Sequence, residues 1–159
     1  MHDRKAAIRH ELLSAQQDLL AVLDRVGPAD WQRTSPNEGW TIQHLLTHLS
    51  TSETGFVGTA RRMAAGDGGV PQDFDPNRWN AGQLRRHVEV APDELRQRLE
   101  TAHTAILELL DTLDAASLDQ RGYLSTGVEG STEDLFRLVA GHKRTHTEDI
   151  RAALALTGV

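Results

Sequence analysis

The sequence predicts an all-α fold: a four-helix bundle with a long crossover between its second and third helices. Three observations lead there. Aromatic residues make up only 4% of the chain, and β-branched runs are scarce. Ala, Leu, Glu, Gln and Arg, which lose little on entering a helix, fill long stretches instead. Apolar residues recur at three- and four-residue steps in four separate segments. At 159 residues the chain is long enough for one core without staples, and residues 1–159 read as a single domain.

In the first helix Ile8, Leu12, Leu19, Leu23 and Val26 share a face, and Gly27-Pro28 stops the pattern. The second opens at Trp40-Thr41, with Thr41 as N-cap. It carries Ile42, Leu45, Leu46, Leu49, Phe56, Val57 and Ala60 up to the stop at Gly66-Asp67-Gly68-Gly69. The third opens at Ala91-Pro92, since proline suits the first helical position, and runs through Leu95, Leu99, Ala102, Ile106, Leu110 and Leu113. The fourth starts at Ser131, where Asp134 three residues on approximates a capping box. It continues through Leu135, Leu138, Val139, Ile150, Ala153 and Leu154 to Gly158.

The link over residues 66–91 is longer than antiparallel neighbours need. Its extended reach exceeds the length of the preceding helix, so it can let the second and third helices run in the same direction. Within it, residues 77–89 can form a further short helix. The stretch 122–130, with Gly at three positions and no period, reads as loop.

Composition narrows the chemistry. Cysteine is absent, which removes disulfides, zinc ribbons and a Cys nucleophile and leaves His, Asp and Glu as the strong metal ligands. With 23 acidic against 17 basic residues the net charge is −6, unsuited to displacing counterions from nucleic-acid phosphates, so no nucleic-acid partner is expected. No apolar run approaches the ~20 residues of a membrane span, and the N-terminus lacks a signal-peptide core. The expectation is a soluble, cytoplasmic protein with no membrane partner.

The histidines carry the functional argument. His142 and His146 stand four residues apart on the last helix, stacked on one face at a spacing that can chelate a metal. With Leu135 as origin they fall within roughly 20° either side of the apolar stripe's centre. Lys143, Arg144, Thr147 and Glu148 take the opposite arc. Two adjacent imidazoles pointing into a core need partners: neighbouring hydrogen-bond groups on one reading, a metal on the other. A metal requires a third protein ligand, and His48 is the best candidate, at the edge of the second helix's stripe beside the small residues Thr41, Ser52 and Gly55. In an antiparallel pairing of these two helices the three rings come to similar levels.

Alternatives stay open. His44 pairs with His48 at i, i+4 and allows a four-imidazole site, although its angle faces solvent. His103 flanks the third helix's stripe as a reserve ligand, while His2, His10 and His87 read as surface or loop residues. Glu53, inside an apolar arc, and Asp149, beside His146, can orient an imidazole or act as a general base. Equally, each can be a partly exposed carboxylate paired with Arg61, Arg62 or Arg151. No Ser elbow, phosphate loop or His-Glu-x-x-His motif is present in a suitable context.

The segments Gly39-Trp40-Thr41-Ile42-Gln43-His44-Leu45-Leu46-Thr47-His48-Leu49 and Gly141-His142-Lys143-Arg144-Thr145-His146 resemble the DinB/YfiT-like superfamily of bundle proteins. Within it they are similar to the subgroup of the N-terminal domain of mycothiol-dependent maleylpyruvate isomerase. The resemblance spans nearly the whole chain and implies up-down-down-up connectivity. It also implies a metal triad of His48, His142 and His146, the same three residues that the helical angles favour. The position of His44 is commonly acidic or otherwise polar in such relatives and is not a ligand. Implied too are Zn²⁺ or Ni²⁺ as cofactor, a low-molecular-weight thiol such as mycothiol or bacillithiol, and a homodimer. The functional expectation is therefore a divalent-metal-dependent enzyme of the thiol S-transferase or isomerase type acting on a small molecule. The alternatives are a non-catalytic bundle that binds a small ligand or metal, and a metal-dependent hydrolase.

Overall fold

The computed structural model describes residues 1–37 and 39–155. Four long helices form the bundle: α1 (His2–Leu23), α2 (Ile42–Ala64), α4 (Pro92–Thr112) and α6 (Thr132–Ala155). Two shorter helices, α3 (Pro76–Arg86) and α5 (Ala115–Asp119), and two strands, β1 (Arg121–Ser125) and β2 (Val128–Ser131), fill the connections.

The sequence signals for helix ends act as expected at several places. Thr41 caps α2 through a reciprocal pair: Thr41 Oγ1 accepts from the His44 backbone N–H at 3.1 Å, and His44 Nδ1 accepts from the Thr41 N–H at 3.3 Å. Pro92 opens α4, and Pro76, after the cap Asp75, opens α3 inside the long link. Ser131 and Asp134 bond each other's backbone N–H groups at 2.8 and 3.1 Å ahead of α6. Helix α1 ends at Leu23, earlier than the apolar pattern suggests, because tight turns take up the carbonyls of Val22 and Leu23. The expected end of the last helix at Gly158 lies outside the described residues.

The expected loop over 122–130 is instead a β-hairpin. Arg121 pairs with Ser131 and Tyr123 with Glu129, and Gly127 at φ 74° makes the turn. The hairpin anchors the long link, since Val70 N–H donates to Tyr123 O at 2.8 Å. Glycine at 69 permits this approach: a Cβ there would sit 2.0 Å from Tyr123 O.

Helices α1 and α4 run in opposite directions. Lys5 donates to the carbonyls of Asp111 and Leu113 at the end of α4, while Arg96 near its start pairs with Asp24 just beyond α1. Helix α6 lies along α1 in the same sense, tied by Arg4 to Glu133 and by Arg137 to Glu11. The buried apolar residues form two clusters, one around Leu12, Met63, Ile106 and Phe136, the other around Leu19, Leu46, Leu99 and Ile150. On each long helix a polar step separates them: Gln16 on α1, Ser52 and Glu53 on α2, His103 on α4, and residues 142–147 on α6. The site lies in that polar layer.

Candidate metal centre

His48 on α2 meets His142 and His146 on α6. His142 Nε2 is 2.8 Å from His48 Nε2 and 3.2 Å from His146 Nε2, and one ring nitrogen from each residue lies within 4.8 Å of the other two. The rings stand edge to face, with centroids 4.6–4.8 Å apart. Nitrogens bound to a tetrahedral Zn²⁺ at about 2.0–2.1 Å lie roughly 3.3 Å from one another. The spacing of these nitrogens therefore suits a single cation.

The far sides of two rings are already engaged. His146 Nδ1–H donates to Asp149 Oδ2 at 2.9 Å, and Asn37 Nδ2 donates to the same oxygen at 3.2 Å. His48 Nδ1 is 3.3 Å from Ser52 Oγ. With their protons on Nδ1, both rings turn the Nε2 lone pair inward. Trp40 packs on His48 with a centroid distance of 5.0 Å, and Phe56 meets His142 edge-on at 5.6 Å.

Electrostatics keep the His48 and His142 rings neutral. Burial, with the charge of His146 added, depresses the His48 pKa to about 4 against a smaller opposing effect of Asn80. His142 is held well below the ordinary value, first by burial and then by His48, His146 and Lys143. Neutral imidazole is the form that binds a metal.

Behind the triad lies a second polar group. Lys143 Nζ donates to Glu53 Oε1 at 2.8 Å and to His103 Nδ1 at 2.9 Å, with all three residues buried. Burial lowers the Lys143 pKa, and Glu53 opposes the shift. Lys143 thus does not occupy the outer arc, and neither does Thr147, which is also buried. A single-stripe helical wheel fails here because α6 is covered by α1 on one side and by α2 on another. Glu53 pairs with Lys143 in place of an arginine, and His103 belongs to this group, away from the triad. His44 serves the α2 cap, His2 and His10 are exposed, and His87 Nδ1 bonds Gln83 O.

Two members of the triad, His48 and His142, line a cavity of about 790 Å³ bounded by α2, α6, the hairpin and the long link. Its wall is largely apolar, built from Phe56, Val70, Phe74, Trp79, Leu124 and Leu138. The crossover is therefore more than a connector: α3, which buries none of its own residues, brings Trp79 and Asn80 to the cavity. Gly55 on α2 faces the Trp79 ring, which lies 3.9 Å from where a Cβ would be, an ordinary contact distance. Sequence reasoning did not find Asn37, Asn80 or the contact of Trp40 with His48. Asn37 and Asn80 sit in a loop and a short polar helix, where no periodic pattern exists to reveal them.

A mostly helical four-helix bundle with three converging imidazoles beside a cavity defines the class of the molecule. A profile of the DinB superfamily matches residues 11–150, and the chain belongs to that superfamily. No curated protein sequence matches the chain. Among solved structures, mycothiol-dependent maleylpyruvate isomerase superposes with a TM-score of 0.81 at 16% identity. That match covers 93% of this chain but 61% of the isomerase, so the chain spans about three-fifths of that protein's length. YfiT from Bacillus subtilis, described as a probable metal-dependent hydrolase with an unusual four-helix bundle topology, superposes with a TM-score of 0.81 at 16% identity, covering 99% of this chain and 90% of YfiT. The sibling lethal factor precursor DfsB matches with a TM-score of 0.69 at 15% identity, covering 92% of each chain. At these identities the likeness is one of fold. No helix among the described residues is long and apolar enough to cross a membrane.

Proposed function

We propose that His48, His142 and His146 hold one divalent cation, Zn²⁺ or Ni²⁺, and that the protein is a metal-dependent enzyme of the thiol S-transferase or isomerase type. The observation that carries the reading is the convergence of three Nε2 atoms, with Asp149 orienting the His146 ring. When bound, such a cation supplies Lewis-acid stabilisation and lowers the pKa of a thiol or water at its open position. The chain's own residues do the rest. Asp149 and Asn37 hold the His146 ring in place, and Ser52 does the same for His48. Phe56, Trp79 and Leu138 give the approach an apolar wall, which strengthens charge interactions once a ligand displaces water from it. Mycothiol as the thiol is suggested by the isomerase whose fold this chain shares, with bacillithiol as the alternative low-molecular-weight thiol.

A second reading, a metal-dependent hydrolase, draws support from YfiT, whose bundle this chain matches over nearly the full length of both. Thiol titration of the Co²⁺-loaded protein separates the two. The transferase reading expects the visible spectrum to shift as sulfur joins the cation, and expects His48→Ala to lose that response. A spectrum indifferent to every thiol offered, in protein that retains its cobalt, rejects the transferase reading in favour of the hydrolase.

A further inference from the structure

Arg62 is the one side chain of fixed charge among the described residues lining the cavity. It sits near the end of α2, folded back along the helix: Nη2 donates to Thr59 Oγ1 at 3.2 Å, and Nη1 lies over Gly58, 3.6 Å from where a Cβ would be. Among the described residues no carboxylate lies within ion-pair distance of it; seven other arginines are likewise unpaired, but Arg62 is the one that lines the cavity. Its five donors are largely unused. The other polar end of the cavity is formed by His48 and His142. Ten to eleven residues of α2 separate His48 from Gly58 and Thr59, roughly 15 Å of helix axis. The six apolar wall residues line the same cavity.

We propose that the ligand of this site is an elongated organic anion: one end meets the histidines, its apolar body lies along the cavity wall, and its carboxylate pairs with Arg62. This rests on the reading above in one respect, that the histidines hold the cation which captures the other end. A guanidinium without a carboxylate partner, beside an apolar wall, suits a carboxylate better than a neutral polar group, because it can engage both oxygens. The length between the two polar ends selects against small dicarboxylates, which cannot span it.

The test uses two bifunctional probes of equal length, 11-mercaptoundecanoate and 11-mercaptoundecanol, on the metal-loaded protein. Affinity is read from the fluorescence of Trp79 by comparison with a Trp79→Phe variant, and sulfur ligation from the Co²⁺ spectrum. The acid should bind roughly three- to tenfold more tightly than the alcohol. Arg62→Gln should erase that preference and Arg62→Lys should retain part of it. Arg62 is exposed, so neither change threatens the fold. Equal affinities for acid and alcohol, failure of both to bind, or a preference that survives Arg62→Gln would overturn the proposal. An Arg62-dependent preference without a change in the cobalt spectrum would keep the carboxylate site at Arg62, overturn capture of the far end by the cation and remove the thiol reading, so the two ideas fail separately.

Discussion

The Nε2 atoms of His48 and His142 approach to 2.8 Å although the residues are 94 positions apart in the chain. A single proton on His142 Nε2 can satisfy that contact, and so can a cation shared with His146. In either case His48 Nε2 must present a lone pair and the His48 ring must be uncharged, which ties the site to pH. Burial lowers the His48 pKa from 6.5 to about 4 on folding. Between these values the unfolded chain binds more protons than the folded one, so the stability of metal-free protein falls as pH drops through that window. The loss from His48 alone is roughly 3 kcal/mol at full protonation. Urea titrations of metal-free protein at pH 7.5, 6 and 5 check this. Equal midpoints would contradict the burial of an uncharged ring.

Asp149 touches His146 Nδ1 at 2.9 Å, so on the proposed reading it would act on the cation only through that ring. Asp149→Ala should weaken metal affinity roughly 10- to 100-fold while leaving the urea midpoint of the metal-free protein nearly unchanged, because the carboxylate is partly exposed. Competition with a chromophoric chelator measures the affinity. Unaltered affinity would show that the 2.9 Å contact with His146 Nδ1 does not orient the ring.

The pair Glu53–Lys143 joins α2 to α6 beside the triad, with side-chain exposures of 3% and 1%. Lys143→Met leaves a carboxylate buried without its counter-charge and should cost about 3–5 kcal/mol. Adding Glu53→Gln should recover much of that loss. A double-mutant cycle by chemical denaturation gives the coupling, and purely additive effects would mean that the pair does not act as a unit.

Gly69 admits the long link to the hairpin. Gly69→Ala forces a Cβ against Tyr123 O and should destabilise the protein by about 1–3 kcal/mol. It should also weaken probe binding in the cavity, whose wall includes Val70 and Leu124 on either side of this contact. A wild-type melting temperature together with unchanged probe affinity would show that the link is not held there.

The long helices were legible because their cores repeat. The steps Leu45, Leu46, Leu49 on α2 and Leu135, Val139, Ile150 on α6 set angles from which the facing of His48, His142 and His146 follows. The same wheel misplaced Lys143, because it assumes that a helix buries one stripe, whereas α6 buries a broader arc that includes a charge paired with Glu53. The hairpin was illegible for a different reason. Gly122 leaves no side chain to alternate, and glycine is needed there because a Cβ would come within 2.6 Å of Gly69 N, a contact that exists only after the link has docked. Asn37 and Asn80 reach the site from segments without a period, so only the folded chain brings them to His146 and His48.

The most direct test of the central claim is the metal content of untagged protein, taken by elemental analysis after dialysis against Zn²⁺, Ni²⁺ and Mn²⁺ in turn, for the wild type and for His142→Ala, His146→Ala, His10→Ala and His87→Ala. One tightly held divalent ion per chain is expected, lost in the first two variants and kept in the last two. No retained ion with any of the three metals, or retention alike in all four variants, would contradict a cation held by His48, His142 and His146.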